Sequence, residues 1–109
     1  MRRAYLYAGD LFKPLDLPWG ELVELAETPE AVLERFGREI EELLGCRVAG
    51  LRFFKAVALE GGGAVVEYLA ALEGPMAGGE ASVKLIYAED PVKALSEYYE
   101  QEKRAAERK

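Results

Sequence analysis

The hydrophobic period of this chain changes twice, and each change is punctuated. Residues 29–44 repeat at helical spacing, residues 47–88 run in a strand-like pattern, and helical spacing returns after residue 90. The first helical segment starts at Thr28-Pro29 and stops at Gly45. A threonine side chain can accept from the free amides of a first turn, proline at the first helical position forfeits no helical hydrogen bond, and glycine readily adopts the left-handed conformation that ends a helix. At about 100° per residue, Val32, Leu33, Phe36, Ile40, Leu43 and Leu44 share a sector of about 120°, with the charged residues opposite. Gly37, at the edge of that sector, costs about 1 kcal/mol relative to alanine, which predicts close approach of another backbone.

The β-type region divides into Arg47–Leu59, Ala64–Leu72 and Ala81–Ala88, joined by Gly61-Gly62-Gly63 and by the turn Glu73–Gly79. Both connections are short enough to join antiparallel neighbours, so a three-stranded meander is expected, with Gly50 as a candidate bulge. Asp90-Pro91 repeats the cap-and-proline device and opens a last helix with the stripe Val92, Leu95, Tyr98 and Tyr99. Glu102 interrupts that stripe, so the helix is expected to leave the core after about residue 100. Upstream, Tyr5–Ala8 reads as a strand, residues 9–20 hold Gly9, Pro14, Pro18 and Gly20 and read as a loop, and Trp19, Leu22, Val23 and Ala26 favour a short helix. The predicted order is β-α-α-β-β-β-α. This is a single α+β domain over residues 1–109, with an antiparallel sheet of a meander plus an N-terminal strand packed against two main helices.

The order α-β-β-β-α over residues 29–107 resembles the double-stranded-RNA-binding domain in outline only. That family carries a lysine cluster where its last helix begins, and here those positions read Asp90-Pro91-Val92-Lys93. A ferredoxin-like reading would need a final strand after residue 90, where the pattern is helical. Charge also argues against nucleic acid. The net charge is -6, all of it within residues 20–45, and the basic cluster Lys103, Arg104, Arg108 and Lys109 is interleaved with Glu100, Glu102 and Glu107. Phosphate recognition needs a clearer basic footprint. Apolar runs fall far short of the roughly 20 residues of a membrane-spanning helix, and the start lacks the apolar stretch of an export signal. The single cysteine, Cys46, suits a cytoplasmic protein. With no asparagine, one glutamine and 31% charged residues, the composition is that of a thermostable protein.

No motif carries chemistry by itself. The glycine run leads into Ala64-Val65-Val66 rather than a helix, so it reads as a hairpin turn and not a phosphate cradle. The absence of histidine removes the usual triads and the commonest transition-metal ligand, and Cys46 has no base to activate it. Glu30, Glu34 and Glu41 share a helical stripe, but Arg38 sits beside them and Glu34 can pair with it, so a solvated face is expected. No catalytic residue, metal or cofactor is assigned. Trp19 is expected as a lid over the core or an exposed anchor.

The informative feature is the second face of the sheet. If Leu51, Phe53, Val57, Leu59, Val66, Tyr68, Leu72, Val83, Leu85 and Tyr87 face the helices, the other side carries Val48, Arg52, Phe54, Val65, Glu67, Leu69, Lys84 and Ile86. An apolar patch with Arg52, Glu67 and Lys84 embedded and able to pair across strands resembles an interaction surface. The first expectation is therefore a non-enzymatic protein that pairs with itself, as a homodimer, or with another protein through this face, unless residues 9–27 cover it. The alternative is a small-ligand-binding domain or small enzyme with a cleft between the sheet and residues 9–27, lined by Tyr7, Asp10, Trp19 and Arg52.

Overall fold

The computed structural model of the chain describes residues 1–108. The elements in order are β1 (Arg3–Ala8), β2 (Leu11–Leu15), α1 (Trp19–Ala26), α2 (Pro29–Leu44), β3 (Val48–Ala58), β4 (Ala64–Leu72), β5 (Glu80–Ala88) and α3 (Pro91–Glu107). All strand pairs are antiparallel and the sheet order is β2-β1-β5-β4-β3. The meander is present as expected, and β1 closes against its last strand. The fold is α+β, and none of the described helices is long and apolar enough to cross a membrane.

The expected loop at residues 9–20 is in part a strand. Gly9 and Asp10 both take positive φ, 58° and 61°, which is the geometry of a tight two-residue hairpin turn, and β2 then pairs with β1. Pro14 is tolerated because β2 lies at the sheet edge, where a missing donor leaves no gap in the ladder. Gly9 has a second constraint. A Cβ there would lie 2.2 Å from the Leu43 carbonyl oxygen, so the turn is seated against the end of α2.

The helix boundaries follow their punctuation, though not always by the expected atoms. Asp90 caps α3 by accepting from the amides of Val92 and Lys93 at 3.1 and 3.2 Å. Thr28 makes no side-chain cap; its carbonyl accepts from Ala31 and Val32 instead. Gly45 ends α2 at φ 73°. Gly37 has no neighbouring backbone within 4 Å of a Cβ placed on it, so the expected close approach is absent and nothing in the structure explains the glycine.

The helices lie on both faces of the sheet. On one side α1 and α2 bury Leu6, Tyr68, Val83 and Leu85 against Leu22, Val32, Phe36 and Ile40. On the other, α3 brings Ala94, Leu95 and Tyr98 onto Leu59, Val65, Ile86 and Ala88. At roughly 2 kcal/mol for each large aliphatic side chain removed from water, both layers are needed to hold the sheet. The expected division of β3 between the faces is corrected by its two irregularities. A register shift between Phe53 and Lys55 turns Val57 and Leu59 toward α3, and another between Val48 and Gly50 leaves Val48 packed with the α2 side. A shift of one residue exchanges the faces of everything beyond it.

Candidate binding groove

The second sheet face is covered within the chain, by α3 rather than by residues 9–27. Val65 and Ile86 are fully buried beneath it, and Leu69 is half-buried. Arg52 pairs with Glu80 at 3.1 and 3.2 Å instead of with Glu67, and only Arg52 and Phe54 of the eight expected interface residues stay exposed. These eight residues therefore do not form one open surface.

Lys84, 3% exposed, forms the centre of a polar cluster between the sheet and α3. Its Nζ donates to Ser82 Oγ at 2.8 Å and lies 3.7 Å from Glu67 Oε2, its direct cross-strand partner. Ser82 and Tyr98 both donate to Glu67, while the rings of Tyr7, Tyr98 and Tyr99 stand 5.4 to 5.9 Å from the ammonium. Lysine beside serine suggests an activated nucleophile, but the donors run the wrong way for it. The ammonium donates to the serine and so cannot take its proton, and the carboxylate that accepts from the serine is itself held by Tyr98 and paired with Lys84. Burial, then the hydrogen bond and charge of Glu67, push the Tyr98 hydroxyl well above its ordinary range, which keeps it protonated. The cluster is a closed, mutually satisfied clamp on α3.

An apolar groove lies on the other face, at one corner. α1 has only eight residues, about 12 Å of helix, and it packs mainly on α2. Beneath it the sheet offers small side chains. Ala58, Ala64 and Tyr87 form one cross-strand row, and Ala56, Val66 and Leu85 form the next. A groove of about 450 Å³ results, with Trp19, Leu22, Val23 and Ala26 as the wall on α1, Ala56, Ala58, Ala64 and Val66 as the floor, and Phe53 and Tyr87 closing it. Trp19 stacks on Tyr87, with ring centroids 4.5 Å apart and planes at 35°, yet remains 48% exposed. Phe53 meets Tyr68 edge to face at 6.3 Å, and Tyr68 donates to the Ala26 carbonyl at 2.6 Å, tying the end of α1 to the sheet. Burial drives the Tyr68 hydroxyl upward, so it too stays a donor. Glu27 is the one charged residue of the lining.

Of Tyr7, Asp10, Trp19 and Arg52, only Trp19 borders this groove. Tyr7 donates to Asp10 at 3.1 Å across the β1–β2 turn, and burial with that bond raises its hydroxyl. Arg52 stands elsewhere, with Glu80. Sequence reasoning missed the floor because alternation through β3 put Val57 inward, whereas the bulge turns Ala56 and Ala58 to that side. The signal that could have found it was three alanines, 56, 58 and 64, flanking a turn: too little volume for a filled core. Of the other residues singled out, Glu41 accepts from the Val48 amide at 2.8 Å and so serves the joint between α2 and β3, and Cys46 is half-buried and unpaired.

No protein-family model, curated protein or solved structure matches the chain.

Proposed function

We propose that this protein binds a small, predominantly apolar molecule in the groove between α1 and strands β3 to β5, without turning it over. The observation that carries the reading is a concave apolar site whose aromatic walls are left in water: Trp19 and Phe53 are 48% and 49% exposed. Ligand sites are typically concave, apolar and of several hundred Å³, with a few polar groups for orientation. Exposed aromatic surface of this size is unfavourable unless something covers it at work. Only Glu27 and the Tyr87 hydroxyl could take part in proton transfer, so binding is better supported than catalysis. At about 0.5 kcal/mol per heavy atom, a ligand of about ten atoms would bind in the sub-millimolar range.

Trp19 is the sole tryptophan, so its fluorescence reports on the groove alone. Titration with a small apolar alcohol should give a saturable change in intensity or wavelength. Ala58→Phe, which fills the floor at an exposed strand position, should abolish it. An unchanged spectrum across the titration would refute the reading.

A second reading is self-association through the lips of the same groove. It is favoured by Val23, 37% exposed, which extends the apolar surface of Trp19 and Phe53. A homodimer seen by light scattering that becomes monomeric in Phe53→Glu would support it, and a monomer at high concentration would end it.

A further inference from the structure

Resting on the groove reading, we infer that the ligand is a cationic amphiphile: an extended hydrocarbon or aromatic body with one ammonium group, its charged end beside Glu27 and its body running toward Trp19. Glu27 is the only charged side chain of the lining and makes no ion pair among the described residues. It follows the last residue of α1, whose carbonyl end is the negative end of the helix dipole. α1 also carries Glu21 and Glu24 and has no basic residue, within the segment that holds the whole net charge of -6. Glu27 itself sets the sign at this end, since the amide end of α2, which begins at Pro29, opposes the carbonyl end of α1 and Arg35 lies with Glu21 and Glu24. A carboxylate there would be repelled by Glu27, whereas an ammonium would gain from it.

The groove also has a direction. Phe53 touches Tyr68, which holds the Ala26 carbonyl, so Phe53 lies at the Glu27 end, and its half-exposed ring adds an aromatic face suited to a cation. Trp19 stacks on Tyr87, the cross-strand neighbour of Ala64, at the opposite end. The separation, about the 12 Å length of α1, matches a saturated chain of about eight carbons.

The test compares 1-octylamine, 1-octanol and octanoate, each below its aggregation concentration, by Trp19 fluorescence in the full chain. The amine should bind on the order of 5-fold more tightly than the alcohol, and octanoate most weakly, as expected for a partly exposed charge flanked by apolar surface. Glu27→Gln should bring the amine to within about 2-fold of the alcohol, and added salt should narrow the preference. Glu27 is exposed, so its replacement leaves the fold intact. An amine that binds no better than the alcohol, or an amine preference that survives Glu27→Gln, overturns the inference while the groove reading stands. Failure of all three to bind removes both.

Discussion

The two members of the buried ion pair differ in what each would leave behind. Remove Lys84 and the Glu67 carboxylate still accepts from Ser82 and Tyr98, with 13% of its side chain in water. Remove Glu67 and the ammonium, with 4% of its side chain exposed, keeps one hydroxyl and three ring faces. An uncompensated buried charge costs about 3 kcal/mol or more, whereas a carboxylate that keeps its donors loses less. Glu67→Leu is therefore expected to lower unfolding stability by at least about 3 kcal/mol, and Lys84→Met by about 1 to 2, both measured by urea denaturation at neutral pH. The reverse order would show that the ammonium is solvated in a way this geometry does not provide. At this scale the sequence was partly legible. The pairing of Glu67 with Lys84 follows from alternation on adjacent strands, which also puts Ser82 on the Lys84 face, but Tyr98, which completes the clamp, comes from α3, and no local pattern relates it to them. The same is true of Trp19 and Tyr87.

Among the elements, those with a strong period and explicit stops were readable: α2, α3, the meander and the short helix α1. The two that were misread share a cause. β2 has a proline that argues against a strand, unless the strand is at an edge, and edge position is a property of the whole sheet. In β3 the irregularity at Gly50 was marked by its glycine, but the one between Phe53 and Lys55 depends on what β4 requires opposite it. The glycine at the β1–β2 turn, by contrast, can be tested as a local element. Gly9→Ala combines a positive φ with a Cβ placed 2.2 Å from the Leu43 carbonyl oxygen, while Gly45→Ala has a similar φ of 73° and nothing within 4 Å. The second should cost only the left-handed penalty, about 1 kcal/mol. The first must also push the hairpin off α2, so its loss in thermal denaturation should be clearly larger. Equal losses would mean that the turn is not seated on α2. α3 shows a related division, for it is half-buried through Glu102, which pairs with Lys55, and exposed beyond that point.

For the molecule as a whole, the groove is a consequence of how three helices share two sheet faces. A sheet of five strands is about 20 Å wide, and two helices side by side cover about that width, but α1 is too short to cover its length. One corner is left with alanines where valines or leucines would complete a core. The corner could be a packing defect or a retained site, and the two differ in what filling it does. Ala56→Val and Ala58→Val place branched side chains on strand positions that face Trp19 and Val23, without a polar group to strand or a neighbour to displace. Each should raise stability by about 0.5 to 1 kcal/mol through apolar burial and strand preference. If the corner is a binding site, the same double variant should lose its 1-octanol response, so that stability and binding move in opposite directions. A variant that is no more stable would show the corner to be closed already by motion of α1. One that is more stable and still binds with unchanged affinity would place the ligand elsewhere on the exposed apolar surface.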